Sequence, residues 1–409
     1  MNTRADLYFL ALLRIILAAI LLFSYEVREI ELFLPPSKDV SVWGSDWLIS
    51  LVGATSAWIR VATWMLWIGA LLSMLGIATR WGLGAIIISS FYLFSLIQYH
   101  SYPVHVHHLW WCTVVLWFSP CDQVLSLGRR QPKSYMMAAR GVVFTQIIFG
   151  CIFFFPGLHK LLSSDWRSGE TLMHILRWKQ IQYWDQTIWS LDISAWGYAV
   201  MAWLIAIAEM SMMVFLYHKM YRVFLLAVLC FHCGTWLLTG IQFSNLWFLY
   251  LAFFALIGSK QRSIRLGYDT LRRSLLPLLL CLGIVWAGFL NIQRGFPWVA
   301  YPSFSQSIDR YVPLLVIQVV DEAGRETVLS YTKIIRPDNQ GWGENWRLAG
   351  IGYPINRQHL EAFWWRKQED LLLTTPASKI KFWRAEIDVH DPQRTPILKR
   401  CIHTMMMLD

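Results

Sequence analysis

Residues 140–160 read RGVVFTQIIFGCIFFFPGLHK, an apolar run that ends in His159 and Lys160. The run 140–158 is long enough to cross a hydrocarbon core of about 30 Å as a helix. Backbone polar groups inside a bilayer must be satisfied within the segment itself, so an α-helix is the structure expected there. The stretch therefore predicts a membrane-spanning helix with a basic pair at its end.

Eight further apolar runs occur along the chain. Together, the nine runs lie at 7–25, 61–79, 82–99, 108–119, 140–158, 194–217, 222–239, 244–258 and 276–294. Two of them, 108–119 and 244–258, are short for a bilayer. The 409 residues are 56% hydrophobic and 15% charged, with a mean hydropathy of +0.42, which is far from the average of soluble proteins. We expect an all-α polytopic membrane bundle of about nine helices.

The positive charges of the loops predict the orientation of these helices. The net charge of +10 comes from Lys and Arg that lie mostly between apolar runs, without a basic stripe or a nucleic-acid-binding motif. They fall mostly in alternate loops, from Arg4 through 129–140 to 260–273, and cytoplasmic loops carry such an excess. We expect a multi-pass protein of a bacterial inner membrane with a cytoplasmic N-terminus. The loop after Lys160, which also carries cations, is the exception to this pattern.

The chain changes character after about residue 294. Residues 295–409 are richer in charge and proline. Within them, PLLVIQVVDEAGRETVLSYTKII at 313–335 reads as two strands around a glycine-containing turn, and IKFWRAEIDV at 380–389 as a further strand. We therefore divide the chain into a membrane domain, 1–294, and a small extracytoplasmic C-terminal domain that contains β-structure.

Lys160 has two possible interpretations. A lysine at the end of a span commonly extends its ammonium toward water while its stem covers apolar surface. A lysine amine beside an apolar wall instead loses hydration of its charged form and can act as a base, which arginine cannot do. The polar residues Asp165, Arg167 and Glu170 follow soon after, either as part of a site or as a solvated loop.

A second group of candidate residues is the histidine-rich stretch QYHSYPVHVHH at 98–108. His105, His107 and His108 have neither a zincin nor a zinc-finger spacing, so we expect no metal. Neutral imidazoles at a membrane surface can hydrogen-bond a quinol or an anionic intermediate. They can equally cap the helix that follows.

Three ionisable residues, Arg14, Glu209 and His232, lie inside predicted spans. Such groups are costly in a membrane, face the bundle interior and usually pair with one another, for function or as an interhelical staple. At about 1.5 Å per residue from the span ends, all three fall at a similar depth. We therefore expect Glu209 to contact Arg14, His232 or both. Cys230 and Cys233 flank His232 with a CxxC spacing, which on a membrane helix more often indicates packing than redox chemistry.

Several segments of the chain resemble the HTTM superfamily, the membrane domain shared with vitamin K-dependent γ-carboxylase. The matching segments are LALLRIILAAILL (10–22), HHLWWCTVVLWFSPCDQVLSLG (107–128), FFFPGLHKLLSSDWRSGETL (153–172), IAEMSMMVF (207–215) and FHCGTWLLTGIQFSN (231–245). The third is the most specific, because G-x-x-K-L followed by D-W-x-x-G is the most recognisable segment of this superfamily. The resemblance covers about residues 5–305, with a weaker echo in YPSFSQ at 301–306.

The resemblance implies a function for Lys160. It would be the base that deprotonates vitamin K hydroquinone or another quinol, which then reacts with oxygen. The resulting alkoxide would take a γ-proton from a glutamyl residue of a secreted peptide or protein, and the carbanion would capture carbon dioxide. His108 and His232 resemble carboxylase histidines, which implies that they hydrogen-bond reacting oxygens.

The same segment supplies candidate contacts for the substrate or quinol, namely His159, Phe153 and Trp166. The chain also departs from the carboxylase. Phe153 stands where the carboxylase has a tyrosine, and Pro156 replaces a small residue. Residues 295–409 are much shorter than the lumenal portion with which the animal carboxylase grips a propeptide.

Two classes of function remain open at this point. The first is a quinol-using membrane enzyme that modifies a secreted peptide or protein, with carboxylation as its best-known form. The second is a non-enzymatic membrane factor that assists the maturation or export of a secreted peptide. A quinone redox protein that uses Cys230 and Cys233 is a third alternative. An enzyme of the first class needs a titratable amine at Lys160, whereas a binding factor should accept arginine there.

Overall fold

The structure, a computed structural model, consists of apolar helices followed by a small antiparallel sheet. It describes residues 3–23, 46–53, 55–99, 106–128, 135–183, 193–215, 221–239, 244–254, 268–292, 297, 310–329, 357, 360–361, 364, 377–388, 390 and 396–406. His100, His105 and most of the predicted cytoplasmic loops at 129–140 and 260–273 lie outside these ranges, as do 293–296, where the two predicted domains meet.

The described residues form twelve α-helices. They are α1 Thr3–Phe23, α2 Asp46–Val52, α3 Ser56–Leu75, α4 Thr79–Tyr99, α5 His107–Trp117, α6 Tyr135–Leu162, α7 Ser164–Arg167, α8 Glu170–Tyr183, α9 Ala195–Phe215, α10 Tyr221–Thr239, α11 Ser244–Phe254 and α12 Tyr268–Phe289. Each of the nine predicted spans falls on one of them. The helical fold of these nine runs is therefore confirmed.

Five of the nine helices, α1, α3, α4, α6 and α9, are long and apolar enough to cross a membrane. The apolar parts of α10 and α12, Arg222–Leu237 and Ser274–Phe289, are shorter, and α5 and α11 have 11 residues each. These five helices support a multi-pass membrane protein. The predicted number of nine crossings is not confirmed.

Helix α1 occupies the centre of the bundle, where it contacts α3, α5, α6 and α11. Its sequence is apolar on all sides, and a helix of this kind is normally buried. Phe9, Leu13 and Leu17 are fully buried, and Phe9 packs edge-on against Phe253 of α11 at 5.2 Å between ring centroids. Arg14, in the middle of the same helix, is also fully buried.

The C-terminal part of the chain forms a four-stranded antiparallel sheet in the order β2-β1-β3-β4. Its strands are β1 Tyr311–Asp321, β2 Glu326–Val328, β3 Ala377–Asp388 and β4 Ile397–Met406. The strands predicted in 313–335 and 380–389 are confirmed as β1, β2 and β3, although residues 330–335 lie outside the described part. Strand β4 was not predicted.

Apolar side chains cover both faces of β1, the inner strand between β2 and β3. Leu315 and Ile317 pack with Phe382 and Trp364 on one face, while residues such as Val316 pack on the other. A strand that is buried on both faces reads as a continuous apolar run, which is why PLLVIQVV was recognisable in the sequence. The sheet therefore has its own small core.

The sheet touches the helical part of the chain at α8. Arg177 of α8 donates a hydrogen bond from its guanidinium to Nδ1 of His390, at 2.7 Å. The ring of His174, one turn earlier, meets the His390 ring edge-on at 5.3 Å between centroids. His390 follows β3, so this contact joins the end of that strand to the helix that comes shortly after Lys160.

Candidate functional site

Lys160 lies in the last turn of α6 and is buried. Its side chain is only 4% exposed, and Nζ donates a hydrogen bond to Oε1 of Glu209 on α9 at 2.5 Å. A buried charge is tolerated when it is paired and hydrogen-bonded. The ammonium therefore has a counter-charge inside the protein and is not extended into water.

The contact between α6 and α9 explains how these two side chains meet. A Cβ atom at Gly157 would lie 2.7 Å from the Ala206 carbonyl oxygen and 3.0 Å from Cβ of Glu209. Gly150, two turns earlier on α6, faces Met213 in the same way, so the two helices run antiparallel. Glycine at these positions lets the two backbones approach closely, as small residues do in membrane bundles.

The direction of the Lys160 side chain follows from the same geometry. In an α-helix the Cα–Cβ bonds tilt toward the N-terminus, so Lys160 reaches back toward the level of Gly157. Glu209 packs at that level. The side chain therefore extends toward the middle of α6 and away from its end. This is the opposite of the direction in which an interfacial lysine extends toward water.

Trp166 covers the amine. It lies on the short helix α7, whose first turn is capped by Ser163, and its ring centroid is 5.1 Å from Nζ of Lys160. An ammonium over an indole face is attracted by the negative face of the ring. Trp166 is itself buried in a small apolar cluster with Leu172, Ile175, Tyr198 and Ala202. The D-W segment therefore positions a wall of the Lys160 site.

Two polar atoms of this site have no hydrogen-bond partner among the described residues. They are Oε2 of Glu209, which is an acceptor, and Nε1 of Trp166, which is a donor, and both are buried. Buried polar atoms in native proteins are nearly always hydrogen-bonded to protein, water or ligand. The site therefore has hydrogen-bonding capacity for a small polar group such as a hydroxyl.

His232 of α10 lies on the other side of the site. Its Nδ1 and the hydroxyl of Tyr250 are 3.0 Å apart. Its ring stacks on Phe153 of α6, with centroids 5.9 Å apart and planes at 26°. His232 is also within electrostatic range of the Lys160 ammonium. The structure thus brings together Lys160, His232, Phe153 and Trp166, which the resemblance placed at one site.

His159 makes a contact that the sequence did not predict. Its Nε2 makes a 2.7 Å hydrogen bond with the carbonyl oxygen of Gly288 on α12. A carbonyl only accepts, so this nitrogen carries the hydrogen. The contact holds α6 against α12, where Gly288 packs under Phe155. Contact of His159 with a substrate or quinol stays a prediction.

His108 lies in the first turn of α5 and is fully buried. On the same helix, the indole of Trp111 stacks on His107 and donates a 2.8 Å hydrogen bond to the carbonyl oxygen of Pro297. The contacts described around Lys160 come from α6, α7, α9 and α10. A role of His108 in hydrogen bonding to reacting oxygens therefore also stays a prediction.

Arg14 belongs to a different polar region. Its guanidinium donates to the carbonyl oxygen of Leu125, a residue held at the positive φ of 50° in the segment after α5. Arg80 binds the same segment through the carbonyl oxygen of Ser119, at 2.8 Å. These two arginines therefore hold the segment that follows α5 against the bundle.

The pairing of Glu209 with Lys160 was not predicted. The depth argument joined Glu209 to Arg14, His232 or both, and that contact stays a prediction. The contacts observed are those of Glu209 with Lys160, of Arg14 with Leu125 and of His232 with Tyr250. Counting residues from the helix ends could not find this pair, because the register between α6 and α9 is set by the close approach at Gly157. Tyr250 was missed altogether, since nothing in the sequence distinguishes it from other aromatic residues of the spans.

The seven cysteines are all described and all free, including Cys230 and Cys233. Cys230 is exposed on α10 and Cys233 is half-buried. Among the described residues, no group of three or more His, Cys, Asp or Glu side chains is arranged to hold a metal ion. In comparisons with known proteins, the chain matches no family model, no curated protein and no solved structure.

Proposed function

We propose that the chain is an integral membrane enzyme that uses a quinol to modify a secreted peptide or protein, with the Lys160–Glu209 pair as its acid–base site. The observation that carries the proposal is this ion pair, buried between α6 and α9 and covered by Trp166. Ionisable residues kept inside a membrane bundle are costly, so their retention favours function. The resemblance to the γ-carboxylase segment that contains Lys160 supports the same conclusion.

The site suits a reactant that dissolves in lipid. Helix α9 carries exposed apolar side chains, among them Trp203, Leu204 and Ile207, as expected of a helix that faces lipid. A quinol partitions into the same phase. The buried oxygen of Glu209 and the indole nitrogen of Trp166 provide an acceptor and a donor for its hydroxyl group. The residues present therefore fit this cofactor.

We assign the following roles to the residues of the site in the proposed reaction. Trp166 provides an aromatic surface over the amine, Phe153 stacks on His232, and the Lys160–Glu209 pair takes a proton from the bound hydroxyl. His232, held by Tyr250, would stabilise negative charge that develops on the reacting oxygen. When bound, the quinol supplies together with oxygen the strong base needed to remove a γ-proton from a glutamyl side chain, and carbon dioxide is then the second co-substrate.

We further propose that all nine helices cross a bacterial inner membrane. In this topology the N-terminus and the loops at 129–140 and 260–273 are cytoplasmic, and the C-terminal domain, residues 295–409, is extracytoplasmic together with the active face. Support comes from the location of every apolar run on a helix and from the alternating positive charge of the loops.

The reaction is tested with purified protein in liposomes, menadiol as the quinol, a glutamate-rich peptide and radiolabelled bicarbonate. We expect incorporation that depends on menadiol and is lost in Lys160→Gln. Lys399→Gln, which changes a lysine on the surface of the C-terminal sheet, is the matched control and should behave as the unchanged protein. A correctly assembled protein without menadiol-dependent chemistry would refute the proposal and favour a non-enzymatic factor for peptide maturation or export.

A further inference from the structure

We propose that Glu209, and not Lys160, accepts the proton of the substrate hydroxyl, and that Lys160 stays an ammonium that stabilises the oxyanion. This inference rests on the proposed function, because it assigns a role in the same proton transfer. It goes beyond the resemblance, which implies that the lysine is the base. Three features of the described site support it.

The first feature is the hydrogen-bonding capacity of the pair. An ammonium has three donors and no acceptor, and Lys160 already donates to Oε1 of Glu209. Of the two groups, only the carboxylate can accept a hydrogen bond from a substrate O–H. Its second oxygen, Oε2, is the atom without a partner among the described residues. A hydroxyl that enters the site therefore meets Glu209 with its hydrogen.

The second feature is accessibility. The side chain of Glu209 is 14% exposed, whereas that of Lys160 is 4% exposed. Of the two side chains, Glu209 is therefore the less buried, and the ammonium of Lys160 lies under Trp166.

The third feature is the balance of charge. Before the reaction the ammonium and the carboxylate form a neutral pair. The substrate O–H bond then breaks, its electron pair stays on the substrate oxygen, and the proton forms an O–H bond with Oε2 of Glu209. The ammonium of Lys160 is left beside the new oxyanion, so the site is again neutral. A neutral Lys160 beside an ionised Glu209 would instead begin with an uncompensated buried charge, which is costly.

The test compares the two candidate bases by substitution. Glu209→Gln keeps the size of the side chain but removes the acceptor of the proton, and should lower the menadiol-dependent rate by about a hundredfold or more, the usual worth of a positioned acid–base group. Lys160→Arg keeps the cation and should lose less than Glu209→Gln does. Glu386→Gln, in the C-terminal sheet, is the matched control and should leave the rate unchanged.

A second measurement does not depend on turnover. Difference infrared spectra of protein labelled with carbon-13 glutamate, recorded on addition of menadiol without oxygen, report whether a carboxylate becomes a carboxylic acid. We expect this change in the unchanged protein and in Lys160→Arg, and its loss in Glu209→Gln. If Glu209→Gln does not assemble, the spectrum of the unchanged protein decides, and the absence of a carboxylic acid band there would refute the inference.

The outcomes separate this inference from the proposed function. An active enzyme in which Lys160→Arg is dead and Glu209→Gln retains its rate would overturn the role of Glu209 and leave the quinol-dependent function intact. An infrared change without incorporation of bicarbonate would support proton transfer to Glu209 and overturn the carboxylation reaction.

Discussion

Two different contacts hold the amine of Lys160. The carboxylate of Glu209 supplies the counter-charge, and the indole of Trp166 covers the ammonium. The close approach at Gly157 then fixes the distance between the helices that carry them. The protein supplies both the counter-charge and the aromatic cover of the ammonium. The ammonium therefore does not need water at the membrane surface for its stabilisation.

At this scale, removing one member of the pair should cost more stability than removing both. Glu209→Gln leaves a buried ammonium without its counter-charge, and breaking a buried ion pair typically costs about 3–5 kcal/mol. Lys160→Met combined with Glu209→Leu removes both charges and should recover much of that loss. Thermal unfolding of the single and double variants in detergent measures the difference. Additive losses would mean that the two side chains do not interact.

The sheet offers a matched control for this experiment. Lys399 and Glu386 also form an ion pair, at 3.2 Å, but their side chains are 47% and 30% exposed. Exposed pairs contribute about 0–1 kcal/mol because water and salt screen them. Lys399→Met and Glu386→Leu should therefore change the unfolding midpoint little, alone or together. If these variants lowered the unfolding midpoint as much as Glu209→Gln does, burial would not be the reason for the cost of breaking the Lys160–Glu209 pair.

The sequence predicted part of this site. Lys160, Trp166 and Phe153 belong to one segment, so their proximity follows from chain connectivity. His232 was placed with them only by the resemblance. The pairing of Lys160 with Glu209 could not be predicted, because it depends on which faces of two distant helices meet, and the residue that decides this is a glycine.

Among the secondary-structure elements, α6 and α9 make the contact on which the site depends. Gly157→Ala would place a methyl group 2.7 Å from the Ala206 carbonyl oxygen, so the helices must move apart. Overpacking of this kind costs about 1–3 kcal/mol. The shift should also weaken the Lys160–Glu209 hydrogen bond. We therefore expect a lower unfolding temperature and a reduced menadiol-dependent rate.

Gly234→Ala on α10 is the control for this substitution. A Cβ atom at Gly234 has nothing within 4 Å among the described residues, and alanine favours a helix over glycine by about 1 kcal/mol. This variant should be as stable as the unchanged protein or slightly more so. If Gly157→Ala behaved in the same way, the close approach of α6 and α9 would not constrain the site.

Strand β4 shows why one element escaped prediction. Its sequence, ILKRCIHTMM, contains Lys399 and Arg400 and lacks a clear alternation of apolar and polar residues. Most of its side chains are exposed or half-buried, because it lies at the edge of the sheet. It pairs with β3 from Lys379 opposite Met406 to Glu386 opposite Ile397. This pairing, and not an apolar pattern in its own sequence, makes the segment a strand.

For the whole molecule, the proposed topology can be measured with single cysteines introduced into a protein whose seven native cysteines have been replaced. A membrane-impermeant reagent applied from outside should label a cysteine at position 400, on the C-terminal sheet, and should miss one at position 131. The expectation follows from the positive charge of alternate loops. Labelling at 131 without labelling at 400 would invert the topology.

The contact between α8 and the sheet should respond to acid. Because Arg177 can only donate, Nδ1 of His390 must be unprotonated in this contact. Burial, with Arg177, His174 and Arg310 nearby, lowers the pKa of His390, and Asp388 opposes this. The contact should be fully present above the ordinary histidine pKa of about 6.5 and should weaken as the pH falls below it.

Electron-electron distances between spin labels at Glu170, on α8, and Arg400, on β4, would report this separation. They should lengthen or broaden between pH 7.5 and pH 5, about the range over which a histidine with a lowered pKa is titrated. In His390→Gln the amide oxygen can still accept from Arg177 but does not titrate, so the pH dependence should disappear. An unchanged response in that variant would assign the acid sensitivity to another group.

The separation of 49 positions between Lys160 and Glu209 also bears on how the protein is made. At about 5–20 residues per second, synthesis completes α6 roughly 2–10 s before Glu209 leaves the ribosome. A charged group without a partner is costly inside a bilayer, and the cost is highest at its centre. During that interval, the newborn α6 must keep its ammonium among headgroups or in the insertion machinery. Its ion pair with Glu209 can form only once α9 has been made, so α6 and α9 complete this site together.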